Sequence, residues 1–219
     1  MSDVKPLFLV GFMGAGKTTV GMIVAERLGR PFIDLDHAIE RATGRTVAEL
    51  FDEVGEDGFR EAEFDSLLEA EASGSAVVAC GGGIVTYGPS LELLTESDEV
   101  VYLSVSADEC LARVRDQLMG RPLLQGADPA GAAALLGLRE LLYEEVADFT
   151  VDTVGSSPEQ VAERIVEWVV MEPLAIPNTS RSSRRAGPTT CRWAPACCTR
   201  WAGRCAGSLR ARAASSSPT

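Results

Sequence analysis

Short apolar runs separated by longer stretches of mixed character set the rhythm of residues 1–171. Five runs are nearly continuous: Leu7–Val10, Phe32–Leu35, Ala76–Ala79, Val100–Leu103 and Phe149–Val151. A strand with one wet face alternates apolar and polar residues, whereas unbroken apolar runs belong to parallel strands covered on both faces. Between these runs apolar positions recur at helical spacing over Lys17–Leu28, Ala38–Thr43, Val47–Val54, Gly58–Ala72, Ser90–Thr95, Ala107–Gln117, Ala130–Val146 and Pro158–Met171. Two of the starts carry capping signals, Ser106 ahead of Asp108 and Glu109, and Ser157 ahead of Pro158 and Glu159. Strand and helix in alternation predict an α/β fold, a three-layer α/β/α sandwich around a five-stranded parallel sheet.

Beyond Met171 neither period continues. Residues 172–219 mix Arg, Ser, Ala, Gly, Pro, Trp and clustered Cys, and are expected to form a disordered tail outside a domain of residues 1–171. Charge divides at the same place: residues 1–171 hold 12 Lys+Arg against 31 Asp+Glu, and residues 172–219 hold eight Arg against Glu172 alone. Arginine without lysine, with abrupt Cys-Cys and Arg-Trp pairs, suggests that the tail is out-of-frame translation of GC-rich DNA. Cys191, Cys197, Cys198 and Cys205 lack the paired spacing of a zinc knuckle.

The acidic body argues against nucleic acid as a partner, because a phosphate backbone needs neutralising cations. No signal peptide is read at the start, and no run reaches the ~18 apolar residues of a membrane helix. Cys80 and Cys110 make no disulfide framework, so a reduced cytoplasmic domain is expected. Small-molecule substrates and a monomeric state are the further expectations.

Gly11-Phe12-Met13-Gly14-Ala15-Gly16-Lys17-Thr18 fits G-x-x-x-x-G-K-[ST], with an apolar strand before it and a helical pattern after it. Glycines let backbone N–H groups wrap a phosphate, and the helix start offers its positive end to the same anion. Gly14, Ala15, Gly16, Lys17, Thr18 and Thr19 are therefore the expected ATP contacts. Lys17 follows charge on the transferring phosphoryl group, and the Thr18 hydroxyl serves Mg²⁺. Asp34 and Asp36 flank Leu35 at the end of the second run. Alternation along a strand would put both carboxylates on one side, facing the ligand crevice, one for the metal's water shell and the other for an attacking hydroxyl. Capping of the following helix is the other reading open to them.

Together with Gly55–Glu63, Cys80-Gly81-Gly82-Gly83, Gly120-Arg121-Pro122-Leu123-Leu124 and Arg139-x-x-Leu142-Tyr143, these motifs resemble shikimate kinase from about Leu7 to Met171. The resemblance implies phosphorylation of the 3-hydroxyl of shikimate by ATP, within aromatic amino acid biosynthesis. It implies that Thr18 ligates Mg²⁺ directly and Asp34 through water, while Asp36 binds the acceptor hydroxyl and serves as base. Arg60 and Arg139 would grip the substrate carboxylate, and Gly81, Gly82 and Gly83 would let backbone approach the ring. Arg121 would sit in a lid over residues 116–129 and add positive charge at the phosphoryl group.

Residue chemistry agrees with these roles: a planar guanidinium suits a carboxylate, and a Gly- and Pro-rich stretch suits a lid. An ion pair with acids of its own helix, Glu61, Glu63 or Glu69, is the alternative for Arg60. Two positions depart from the family pattern. Leu141 stands where proline is common, and Val154 stands where a basic or amide residue commonly meets the adenine. His37 and Cys80 read as surface and packing residues, and gluconate or nucleoside monophosphate kinases as relatives sharing the fold.

Overall fold

The computed structural model of the chain describes residues 5–114 and 129–171; the expected tail, nearly all of the expected lid, and Arg121 lie outside the described residues. Five strands, β1 (Leu7–Val10), β2 (Phe32–Asp34), β3 (Val77–Ala79), β4 (Val100–Ser104) and β5 (Phe149–Asp152), form one sheet. The sheet is parallel throughout, in the order β2-β3-β1-β4-β5. Register pairs Leu9 with Ala79 on one side and with Val101 on the other. Leu7 to Val10 are fully buried, as the unbroken apolar run required.

Among the described residues seven helices accompany the strands: α1 (Lys17–Leu28), α2 (Leu35–Thr43), α3 (Val47–Ala72), α4 (Gly88–Glu96), α5 (Ala107–Val114), α6 (Pro129–Val146) and α7 (Pro158–Met171). The chain leaves β1 toward β2 on one side of the sheet and returns from β3 across β1 to β4. Right-handed crossovers therefore put α1 and α4 on opposite faces. Accordingly α1 packs on α7, and α4 packs on α6. The crevice opens at the C-terminal ends of β1 and β3, where these connections diverge, and both glycine-rich segments lie there. Among the described residues no helix is long and apolar enough to cross a membrane, and Cys80 and Cys110 are buried free thiols.

Two local expectations are corrected, and a third is borne out. The second strand ends at Asp34 and not at Leu35, because the Asp34 carboxylate accepts from the His37 N–H at 3.3 Å and so begins α2 at the next residue. Asp36 consequently lies in the first helical turn, not on a strand. The expected separation between 47–54 and 58–72 is present: α3 opens with a reciprocal cap between Thr46 and Glu49, and its backbone leaves the helical conformation at Gly55 (φ 72°, ψ −177°), between the two stretches. Lastly, a short 3-10 turn over Ile84–Thr86 follows the glycine run, and α4 begins earlier than expected, at Gly88 with Pro89 in its first turn.

Candidate active site

The phosphate end is built by β1, its turn and α1. Gly16 caps α1 at φ 92°, a left-handed conformation that a side chain would strain. No side chain caps this helix and no acid lies in its first turn, whereas Asp34 caps α2 and Thr46 caps α3. The first N–H groups of α1 thus retain their attraction for an anion. Lys17 Nζ donates to the Gly11 and Phe12 carbonyls at 2.7 and 3.0 Å, which folds the ammonium over the loop. The Thr18 hydroxyl donates to Asp34 Oδ2 at 2.7 Å, so one hydroxyl and one carboxylate stand together beside the loop. These are hard oxygen donors of the kind Mg²⁺ takes alongside substrate phosphates, and among the described residues there is no cluster of three or more His, Cys, Asp or Glu suited to a metal.

Helix α5 braces the same loop from the other side. Cys110 Sγ donates to the Met13 carbonyl at 2.7 Å, and Arg113 Nη1 reaches the Gly14 carbonyl at 3.4 Å. The Arg113 guanidinium also donates to the Thr153 hydroxyl at 3.0 Å and to its carbonyl at 2.9 Å. It therefore ties α5 to the segment after β5.

Two cavities meet over these elements. The larger, about 670 Å³, runs along Gly14 to Thr19 and past Asp34, and its far wall is formed by Arg113, Thr153 and Pro158. The smaller, about 240 Å³, is lined by Arg60, Glu63, Arg139 and Gly81 to Gly83. Asp36, Gly82 and Met13 line both. The carboxylate of Asp36 thus stands at the junction, placed there by the first turn of α2.

Arg60 is buried on α3 and donates to Glu63 Oε2 at 2.7 Å and to Glu56 Oε1 at 3.1 Å. The ion pair with acids of its own helix is present, but it is buried at a cavity wall rather than solvated. Its Cζ also lies 6.0 Å from the Phe51 ring and 5.6 Å from the Phe59 ring. Burial opposes its charge, but Glu63 and Glu56 hold its pKa above the ordinary arginine value. Glu63 is 1% exposed, and burial, opposed by Arg60, pushes its carboxyl up to about 7. The Asp36 charge raises it further, and Arg139 acts against it.

The glycine run fits closely around these side chains. A Cβ on Gly83 would stand 2.0 Å from Arg60 Nη2, and one on Gly81 would stand 1.9 Å from Glu63 Oε1. Arg139 Nη1 donates to the Gly82 carbonyl at 3.2 Å from the middle of α6, which runs unbroken past the exposed Leu141. Of the residues expected at the site, the described ones converge on the two cavities. His37 keeps a mostly exposed side chain, and Cys80 is buried in packing where its thiol is pushed up by burial. Arg113, Glu63 as a buried partner, and the contact made by Tyr143 were not anticipated. The scarcity of basic residues was the one signal that pointed to Arg113.

The sequence model described as shikimate kinase matches residues 13–170. The chain belongs to the shikimate kinase family. It is 41% identical over 184 residues to a shikimate kinase of Cupriavidus pinatubonensis (strain JMP 134 / LMG 1197), covering 84% of this chain and 95% of that one. With a shikimate kinase of Halorhodospira halophila (strain DSM 244 / SL1) it shares 46% identity over 168 residues, 76% of this chain and 94% of the other. The solved structure of the shikimate kinase from Acinetobacter baumannii in complex with shikimate superposes with a TM-score of 0.75 at 40% identity, covering 78% of this chain and 96% of that one. A gluconokinase from Sinorhizobium meliloti 1021, at 19% identity and a TM-score of 0.50, shares the fold alone. The chain, with its parallel five-stranded sheet, thus has the α/β fold of shikimate kinases and other P-loop kinases.

Proposed function

We propose that this chain is an ATP-dependent shikimate kinase, transferring the γ-phosphoryl group of ATP to the 3-hydroxyl of shikimate to give shikimate 3-phosphate and ADP. The observation that carries the reading is the position of Asp36, common to a cavity along the phosphate loop and to one walled by Arg60 and Arg139. Two buried guanidinium groups in the smaller cavity suit an anionic acceptor better than a neutral sugar, since each offers a planar fork to a carboxylate. The relatives named above are shikimate kinases, and one was solved with shikimate bound.

In this reading ATP lies along Gly14 to Thr19, with its phosphates on the loop N–H groups and Lys17 and its base toward Arg113 and Pro158. Thr18 and Asp34 hold Mg²⁺, which when bound neutralises phosphate charge. Asp36 accepts the hydrogen bond of the attacking hydroxyl and takes its proton as the new O–P bond forms and the bond to ADP breaks. Arg60 and Arg139 hold the carboxylate of the ring, and Gly81, Gly82 and Gly83 admit the ring against bare backbone. Arg121, assigned from the family resemblance, adds positive charge from a lid over residues 116–129. Rate enhancement comes from positioning and charge neutralisation rather than from a covalent intermediate. The domain is assigned to residues 1–171, acting as a monomer in the cytoplasm on small molecules.

A coupled ADP-release assay tests this with shikimate, gluconate and nucleoside monophosphates as acceptors. Turnover with shikimate alone is the expected result. Shikimate rates no higher than the ATP-only control would end the proposal, and gluconate turnover would move it to the sugar-acid kinases.

A further inference from the structure

Three consecutive glycines have no side chains with which to set their own backbone, yet this run borders the acceptor cavity. Its carbonyls are held from outside. The Gly81 carbonyl accepts from the Ile84 N–H at 3.3 Å, and the Gly83 carbonyl accepts from the Thr86 N–H at 2.9 Å and the Thr86 hydroxyl at 2.7 Å. These bonds come from the turn that immediately follows. The central carbonyl, that of Gly82, is held from α6, by Arg139 Nη1 and by the hydroxyl of Tyr143.

Arg139 and Tyr143 are four residues apart on one helix, so they leave the same face. A carbonyl oxygen carries two lone pairs, and here each meets a donor. Because the peptide unit is planar, directing the Gly82 carbonyl toward α6 directs the Gly83 N–H the opposite way. Tyr143 is fully buried, and its ring stacks on that of Tyr102 with centroids 5.1 Å apart and planes 22° apart. Tyr102 lies in β4, in register with Val10 of β1. The hydroxyl is therefore placed by the sheet, through a ring stack. Burial raises the phenol's pKa, so the group remains an O–H donor across the working pH range.

We propose that Tyr143 is a positioning residue for the acceptor: its hydroxyl, sharing the Gly82 carbonyl with Arg139, locks the glycine run and the Arg139 guanidinium in the geometry that receives the substrate. This rests on the acceptor role proposed above for the smaller cavity. A purely structural tyrosine would be replaceable by phenylalanine, which keeps the ring and the stack. A positioning tyrosine would not.

The test compares Tyr143→Phe and Tyr102→Phe with wild type in the full chain, by steady-state kinetics for each substrate and by thermal melting. Loss of one neutral hydrogen bond predicts a rise of about fivefold in the shikimate KM of Tyr143→Phe. The ATP KM should stay at its wild-type value and the melting temperature should fall by no more than about 4 °C, since Arg139 still satisfies the Gly82 carbonyl. Tyr102→Phe, which alters the same stack without touching Gly82, should change neither KM. An unchanged shikimate KM in Tyr143→Phe overturns the inference. So does an equal loss for ATP and shikimate with a lowered melting temperature, or the same shikimate defect in Tyr102→Phe. A wild-type enzyme without shikimate turnover would sink the functional reading and this inference together. Wild-type turnover beside an unaffected Tyr143→Phe sinks this inference alone.

Discussion

Replacing Glu63 by Gln removes a charge from the least accessible carboxyl of the smaller cavity while keeping its shape. Glu63 is 1% exposed, one oxygen accepts from Arg60 at 2.7 Å, and the other has no hydrogen-bond partner among the described residues. Burial therefore outweighs the pull of Arg60, and the carboxyl titrates near 7 rather than at the ordinary 4.5. A group whose folded pKa is raised binds its proton more tightly in the folded state. Its contribution to stability is complete below pH 4.5 and is lost as pH rises through 7. The interval between 4.5 and about 7 corresponds to about 3 kcal/mol for this one group. Urea denaturation of wild type and Glu63→Gln at pH 5 and pH 8 measures it. The stability of the variant relative to wild type should improve by about 2–3 kcal/mol between the two values. A stability difference that does not move with pH would refute the reasoning, because the carboxylate would then be ionised in the fold throughout. The same proton bears on function. On the proposed assignment, a substrate carboxylate on Arg60 would add an anion beside Glu63 and Asp36, opposed by Arg139, and so would favour protonated Glu63. The wild-type shikimate KM should rise as pH passes 7, and that of Glu63→Gln should stay flat.

Other substitutions separate the two cavities. In Gly83→Ala the new methyl, 2.0 Å from Arg60 Nη2, forces the guanidinium off Glu63. Loss of a charged hydrogen bond predicts roughly a ten- to hundredfold higher shikimate KM with the ATP KM unchanged, by initial rates. Arg113→Ala unties α5 from Thr153 and should do the converse, raising the ATP KM about tenfold and sparing shikimate. Asp34→Asn still caps α2, since Asn and Asp cap alike, but weakens the divalent site. The Mg²⁺ concentration for half-maximal rate should rise about tenfold in a metal titration, with the melting temperature near wild type.

What could be read from the sequence was what neighbouring residues decide among themselves. The glycine-rich loop is eight consecutive residues between a strand and a helix, so its place at the start of α1 follows from local order. The buried strands were equally legible, because Leu7–Val10 and Val100–Leu103 are too apolar to face water. Where two local rules competed, the reading went wrong. Alternation placed Asp34 and Asp36 on one strand face, but the Asp34 carboxylate satisfies the His37 N–H and starts the helix, so capping delivered Asp36 to the junction. Tertiary contacts were beyond reach. Nothing around Glu63 in the chain says that it is buried against Gly81, and nothing around Arg113 says that it meets Thr153, 40 residues later. Tyr143 was legible as part of a motif, while its bond to Gly82 was not.

One carboxylate, that of Asp36, is shared by the two cavities, and Asp36→Asn tests its role most directly. Single-turnover reactions with γ-labelled ATP, Mg²⁺ and shikimate would be quenched and the label located by NMR, with ATP affinity measured in parallel. Wild type should carry the label on the 3-hydroxyl of shikimate, and Asp36→Asn should bind ATP as wild type does while forming the product at least about a hundredfold more slowly. Wild-type rates from Asp36→Asn, or label on water instead of shikimate in the wild type, would contradict it.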